Sequence, residues 1–141
     1  MLKRIATASI VLTLVASGAA FAAGLTTGTK VTLHHTSLGK RLATSTGRTL
    51  YLYTPDGRNK SHCTGGCAST WPPLMTKGKP VAGTGVRRLL LGTTRRANGK
   101  LQVTYNHHPL YKYVVDSGAG QTNGEGTDGH WFTVTAAGKK G

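Results

Sequence analysis

The chain has 141 residues, enough for one domain with a modest core. It carries 18 Lys and Arg residues against four Asp and Glu residues, a formal net charge of +14 at pH 7. Such a charge attracts polyanions, whether an anionic envelope polymer, an anionic lipid surface or nucleic acid, but does not identify one of them. A basic exported protein whose charges are only solvated is the simpler alternative. No stretch beyond the first segment approaches 18 apolar residues, which excludes a transmembrane helix from the mature chain.

The first segment has the layout of a secretory signal peptide. Met1 to Arg4 is a short basic start, Ile5 to Val15 is mostly apolar, and Ala20-Phe21-Ala22 is a small-x-small cleavage site. We therefore predict a signal peptide over residues 1–22 and a single domain over residues 23–141, secreted or periplasmic. No cysteine stands at the predicted cleavage point, so a lipid anchor is not expected.

After residue 30, short β-favouring runs alternate with turns rich in glycine and proline, and no long amphipathic helix is indicated. Asn98-Gly99 is the strongest hairpin signal. Leu89-Leu90-Leu91 is placed in a buried strand, and the tail Ala136 to Gly141 is expected to be disordered. The predicted fold class is mainly β. The predicted strands cover 31–35, 41–44, 49–53, 89–94, 101–105, 109–114 and 130–135.

One stretch occurs twice, 60 residues apart. Leu50 to Asp56 and Leu110 to Asp116 both keep Leu-Tyr-x-Tyr-x-x-Asp, and each is followed, fifteen residues past the Asp, by a tryptophan. These copies contain both tryptophans of the chain and two of its four acidic residues, so a chance match is improbable. We predict two tandem β-hairpin-plus-loop repeats, about 39–74 and about 99–135, that share one core around a pseudo-twofold axis.

The repeated motif has two interpretations. It is either a binding site of tyrosines and a carboxylate, or a scaffold in which the rings pack beneath the tryptophan and the aspartate fixes the loop that follows it. We favour the scaffold, because a motif required in both halves is best explained by what each half needs to fold. Each aspartate is then expected to serve its own repeat. The motif residues are Tyr51, Tyr53, Asp56, Trp71, Tyr111, Tyr113, Asp116 and Trp131.

Together with this motif, the Cys-x-x-x-Cys before Trp71-Pro72-Pro73-Leu74 and the run Gln102 to Asn106 before Pro109-Leu110-Tyr111 carry a resemblance. The chain resembles the bacterial secreted-repeat family of predicted lipoproteins with a Y-x-[FWY]-x-x-D motif. The resemblance implies an exported bacterial protein with two tandem repeats, and no established activity. The chain departs from the family in lacking a lipobox cysteine, and in placing His107 where the family more often has glycine.

The two copies differ most clearly at Cys63 and Cys67, which face Asn123 and Thr127 at the repeat offset. A disulfide across three intervening residues is sterically feasible on one helical turn or a tight loop, and an oxidising compartment favours it. The alternative is a thiolate pair that binds copper or zinc or takes part in redox exchange. No cofactor is expected otherwise. The candidate metal ligands are His62, Cys63, Cys67 and His130.

Paired basic residues are spread along the chain at Arg87-Arg88, Arg95-Arg96 and Lys139-Lys140. They are either solvated charges or part of a face that binds polyanions.

No nucleophile motif such as G-x-S-x-G occurs, and no catalytic constellation is evident. The sequence thus predicts a non-enzymatic exported binding or envelope-associated protein. A periplasmic metal-binding or thiol redox protein that uses Cys63 and Cys67 with nearby histidines is the alternative.

Overall fold

The computed structural model describes residues 11–18 and 27–141. The cleavage site predicted at 20–22 and the basic start of the chain lie outside the described residues, and the signal peptide stays a prediction. Among the helices that the structure describes, none has the length and apolar character needed to cross a membrane. In chain order the elements are β1 (Lys30–Thr36), β2 (Gly39–Thr44), β3 (Tyr51–Tyr53), α1 (Gly66–Thr70), β4 (Met75–Thr76), β5 (Val81–Ala82), a 3-10 helix (Arg88–Leu90), β6 (Leu91–Arg95), β7 (Leu101–Tyr105), β8 (His108–Pro109), a second 3-10 helix (Thr127–Gly129) and β9 (Trp131–Thr133).

Each copy begins with one antiparallel hairpin. β1 pairs with β2 through a tight turn in which Thr36 lies opposite Gly39, and β6 pairs with β7 around the predicted Asn98-Gly99 turn. Gly99 has a φ of 80°, a left-handed conformation that glycine adopts without steric cost. β5 extends the first sheet parallel to β1, while β4 and β8 pair with β7 in the second sheet. The mainly-β class predicted from the sequence is confirmed.

The two copies correspond strand by strand, with a one-residue shift in one strand. Leu42 N–H donates to the carbonyl of Val134 at 2.8 Å, and Val103 N–H donates to the carbonyl of Leu74 at the same 2.8 Å. Equivalent positions are therefore 61 residues apart in β2 and β7, but 60 apart in the segments around Leu74 and Val134. The second hairpin has one extra residue in its turn, and the turn after β7 has one fewer than the turn after β2. An alignment of the two copies at a constant offset of 60 residues therefore misplaces β2 against β7 by one residue.

The copies interlock through their motif segments. β3, with Tyr51, pairs antiparallel with β9 of the second copy, and Tyr111 forms the equivalent bridge with Pro73 of the first copy. At the centre Tyr51 N–H donates to the carbonyl of Tyr111 at 2.8 Å, and Tyr111 N–H donates back to Tyr51 at 3.0 Å. This reciprocal pair marks the pseudo-twofold axis. Because each copy supplies the strand partner of the other, the two copies form one folding unit.

The core has an aliphatic part and an aromatic part, on opposite faces of the motif strand. Leu50 and Leu52 lie in the aliphatic part, whereas Tyr51 and Tyr53 lie in the aromatic part, as the two-residue period of a strand requires. The aliphatic part also contains the buried residues Val31, Leu42, Leu74, Val86, Val103, Leu110 and Val134, and Tyr105 packs with them.

Three local predictions are wrong. Leu89 is 93 % exposed and lies in a 3-10 helix rather than in a buried strand, because the flanking β6 begins only at Leu91. The tail is ordered: Val134 bridges Lys140, and Gly141 N–H donates to the carbonyl of Thr133 at 2.8 Å. The predicted strand over 109–114 is reduced to β8 and isolated bridges, since the partner of Tyr111 is a segment with two prolines.

Candidate functional site

Four aromatic rings of the motif stack face to face in the centre of the domain. Trp71 and Trp131 are parallel, with centroids 3.9 Å apart and an interplanar angle of 2°. Tyr113 stacks on Trp71 at 4.0 Å, and Tyr53 stacks on Trp131 at 4.3 Å. Each tyrosine therefore stacks on the tryptophan of the other copy. Both tryptophans are almost fully buried, so the stack joins the two copies and presents no tryptophan surface to a ligand.

The remaining motif residues form two hydrogen bonds that also cross between copies. The Tyr51 hydroxyl donates to Asp116 Oδ2 at 2.6 Å, and the Tyr111 hydroxyl donates to Asp56 Oδ2 at 2.6 Å. Hydrogen bonds to an ionised carboxylate are short and roughly twice as strong as neutral ones. The pairs repeat the same contact on the two sides of the pseudo-twofold axis, as expected of a scaffold.

The second oxygen of each carboxylate holds the loop of its own copy. Asp56 Oδ1 accepts the backbone N–H of His62 at 2.7 Å, and Asp116 Oδ1 accepts that of Asn123 at 3.0 Å. The expectation that each aspartate serves its own repeat thus describes one oxygen only. The other oxygen bonds a tyrosine of the opposite copy, and sequence reasoning did not anticipate this crossing.

Burial shifts the pKa values of Tyr51, Tyr111 and Asp56. Desolvation, reinforced by the neighbouring carboxylate, raises the pKa of the Tyr51 and Tyr111 hydroxyls far above the ordinary value, so both remain protonated donors. Desolvation also raises the pKa of Asp56, although the bonds from Tyr111 and the His62 N–H oppose this by favouring the carboxylate. The hydroxyls are therefore suited to donating a hydrogen bond and unsuited to acting as bases near pH 7.

The surroundings of the two pairs differ. At the Tyr51–Asp116 pair the Tyr51 hydroxyl accepts the backbone N–H of Gly124 at 3.2 Å, and a Cβ added at Gly124 would lie 2.8 Å from the Tyr51 ring. The backbone of Gly124 thus covers the Tyr51 side of the Tyr51–Asp116 pair. At the Tyr111–Asp56 pair the Tyr111 hydroxyl is instead 2.7 Å from the Ser61 hydroxyl.

Ser61 continues into a polar network centred on Arg96, whereas on the Tyr51 side Asn123 Nδ2 donates to Asp116 Oδ1 at 3.0 Å. Arg96 Nη1 donates to Ser61 Oγ at 2.9 Å and to Gln102 Oε1 at 2.7 Å, while Arg96 Nη2 donates to the carbonyl of Cys63 at 2.8 Å. Gln102 is fully buried, and its Nε2 donates to the carbonyl of Leu110 at 2.8 Å. Sequence reasoning named Arg96 only as one of a basic pair and missed Gln102. A buried amide at a strand position was the available signal, because such a group requires partners.

A pocket of about 440 Å³ lies beside this network. It is lined by the first loop after the motif and by the turn between β6 and β7. The lining residues are Lys60, Ser61, Thr64, Arg95, Arg96, Ala97 and Asn98. Three of them are cationic, and none is acidic.

Cys63 and Cys67 are joined in a disulfide, with Cα atoms 5.2 Å apart. The bond spans the start of α1 and lies beside the aromatic part of the core, where Cys63 is buried. The expected disulfide is present, and its two sulfur atoms are bonded to each other. The thiolate alternative therefore has no free thiol in this structure.

The candidate metal ligands gain no support from the geometry. His62 is exposed and contributes its backbone N–H to Asp56, while His130 lies edge-on to Tyr53 at 6.1 Å. Among residues 11–18 and 27–141, no three His, Cys, Asp or Glu side chains are grouped so that they could hold a metal ion. Metal binding by His62, Cys63, Cys67 and His130 stays an untested prediction.

The fold and the crossed motif define a two-repeat, mainly-β scaffold. A family model described as a secreted repeat of unknown function matches the chain twice, over residues 32–75 and 92–135. The chain belongs to this family, and the two-repeat organisation predicted from the sequence is confirmed. The matched segments begin one strand earlier than the predicted starts at 39 and 99, so β1 and β6 are part of the repeat. No curated protein and no solved structure matches the chain.

Proposed function

We propose that this protein is a non-enzymatic binding module of a bacterial envelope, secreted or periplasmic, that binds anionic polymers or anionic lipid surfaces through its basic surface. The observation that carries the proposal is the charge imbalance of the chain, 18 basic residues against four acidic ones, or 16 against four once Lys3 and Arg4 are removed with the predicted signal peptide. An excess of this size generates a positive potential that raises the local concentration of polyanions and speeds their association.

The use of the carboxylates strengthens this argument. Asp56 and Asp116 accept bonds from tyrosine hydroxyls and backbone N–H groups, and Glu125 accepts the backbone N–H of Thr133 at 2.7 Å. Three of the four acidic residues are thus engaged in holding the fold. The lysine and arginine side chains have few carboxylates within the protein to pair with, so an external anion is their natural partner.

Retention on immobilised heparin and co-sedimentation with anionic vesicles test this proposal. We expect binding at low ionic strength that weakens steeply as salt is added, because each cation–anion contact is screened over a Debye length of about 8 Å at physiological salt. Neutral vesicles of the same size serve as the control surface. Passage through heparin at low salt, or retention that does not respond to salt, would contradict the proposal.

A further inference from the structure

We propose that the pocket between the first motif loop and the β6–β7 turn is a phosphate-binding subsite. The inference rests on the proposed function and deepens it, because it assigns the anion a place and a chemistry. The residues that would contact the phosphate group are Lys60, Thr64, Arg95, Arg96 and Asn98.

The polar side chains that line the pocket include hydrogen-bond donors, and none of the lining residues is acidic. Lysine supplies an ammonium, arginine a planar fork of N–H groups, Thr64 a hydroxyl donor and Asn98 an amide donor. Such a set matches a phosphate group, whose oxygens accept several hydrogen bonds at once. A carboxylate has only two oxygens and would leave part of the set without an acceptor.

Arg96 is held in place before any ligand arrives. Three of the five N–H bonds that a guanidinium carries donate to Ser61, Gln102 and the carbonyl of Cys63, which are all neutral. Its charge is therefore fixed at the pocket wall by neutral hydrogen-bond partners, and the nearby charge of opposite sign is the Asp56 carboxylate. A preorganised charge of this kind loses little conformational entropy when it binds an anion.

The second copy does not reproduce these charges. The backbone N–H of His62 donates to Asp56, and that of Asn123 donates to Asp116 in the same way. Equivalent residues of the two loops are therefore 61 positions apart. At this offset Lys60 corresponds to Gln121 and Thr64 to Glu125, while Arg95 of β6 corresponds to His35 of β1 at the offset of 60. Two neutral or weakly basic residues and one acid thus stand where the first copy has cations or a hydroxyl. A charge pattern confined to one copy is not required by the fold that both copies share.

The size of the pocket sets the class of ligand. At about 440 Å³ it is within the usual range of small-molecule sites and exceeds what a bare phosphate ion fills. The remaining space fits a sugar or polyol attached to the phosphate, so a phosphorylated unit of an anionic envelope polymer suits the site.

The test compares two double variants of the full protein that remove the same charges. Lys60→Gln/Arg95→Gln empties the pocket of two exposed cations, and Lys79→Gln/Arg88→Gln removes one lysine and one arginine that lie exposed elsewhere. Titration with inorganic phosphate is followed by backbone amide chemical shifts of isotopically labelled protein, with acetate at equal ionic strength as the comparison anion. Thermal melting confirms that both variants are folded.

We expect wild type and the control variant to bind phosphate with amide shifts centred on Thr64 and Asn98, and the pocket variant to bind at least about tenfold more weakly. Equal loss in both variants, no loss in either, or no phosphate binding by wild type would overturn the subsite. Acetate binding as tight as phosphate binding would overturn the phosphate assignment. Retention on heparin is scored separately: if it persists while the subsite fails, the proposed function stands without this site.

Discussion

The same Tyr–Asp hydrogen bond has different surroundings on the two sides of the pseudo-twofold axis. Around Tyr51 and Asp116 the backbone N–H of Gly124 donates to the Tyr51 hydroxyl, and the neutral side chain of Asn123 donates to Asp116. Around Tyr111 and Asp56 the same bond continues through Ser61 to Arg96 and the pocket. The difference teaches that the repeated residues build the fold, whereas the residues found in one copy only are where binding is to be sought.

The aromatic stack is common to both sides and should carry the largest energy. Replacing Trp71 or Trp131 by Ala removes a buried ring between two stacked partners, so each variant should lose about 3–5 kcal/mol of unfolding free energy. The two losses should be similar because the stack is symmetric. Urea denaturation followed by circular dichroism measures them. A large loss for one tryptophan and a negligible one for the other would break the symmetry of the account.

Removing the hydroxyl of Tyr51 or of Tyr111 should lower the unfolding free energy by different amounts on the two sides. Tyr51→Phe leaves Asp116, only 1 % exposed, without its hydroxyl donor and removes the acceptor of the Gly124 N–H. Tyr111→Phe affects Asp56, which is half-buried and reachable by water. We expect losses of about 2–3 kcal/mol for Tyr51→Phe and about 1–2 kcal/mol for Tyr111→Phe in the same denaturation assay. The reverse order would show that Ser61 and Arg96 make the Tyr111 side the more rigid one.

The disulfide lies on one side only. Cys63→Ser/Cys67→Ser opens a loop closed over a sequence separation of 4, and the chain-entropy model gives a loss of about 2 kcal/mol for so short a loop. Thermal melting of the variant and of the reduced wild type should agree. Melting temperatures unchanged by both treatments would mean that α1 is held by packing alone.

His108 should produce the smallest effect, and only as a dependence on pH. Burial lowers the pKa of its imidazole, so the unfolded chain binds this proton more readily than the folded chain. Stability due to this group is complete above the unfolded pKa of about 6.5 and is lost as the pH falls through the folded pKa. Denaturation midpoints between about pH 7.5 and pH 5 should fall more steeply for wild type than for His108→Gln. Identical slopes would contradict this assignment.

Sequence reasoning recovered the repeat, and the two faces of the motif strand also follow from the sequence, because both features are local or periodic. Leu50, Tyr51, Leu52 and Tyr53 alternate with a period of two, and the second copy repeats the spacing to its tryptophan. The crossing of the Tyr–Asp pairs was missed, because their partners are 65 and 55 residues apart and a turn-capping role for the aspartate was available nearby.

Other parts of the structure depend on tertiary context that no local pattern encodes. His107 has a φ of 66° in a two-residue turn with Asn106, where glycine is favoured. Its ring nitrogens lie 2.8 Å from an Arg58 nitrogen and 3.2 Å from the Asn59 amide. Both partners belong to the loop of the first copy, and no local sequence pattern predicts these contacts. The ordering of the tail likewise follows from the bridge between Val134 and Lys140.

The central claim is that the motif ties the two copies together, and a pair of double-mutant cycles tests it most directly. One cycle combines Tyr111→Phe with Asp56→Asn, across the copies, and the other combines Tyr51→Phe with Asp56→Asn, within one copy. Urea denaturation should give a coupling free energy of about 1 kcal/mol or more for the crossed pair and about zero for the pair within one copy. Coupling confined to Tyr51 and Asp56 would contradict the account.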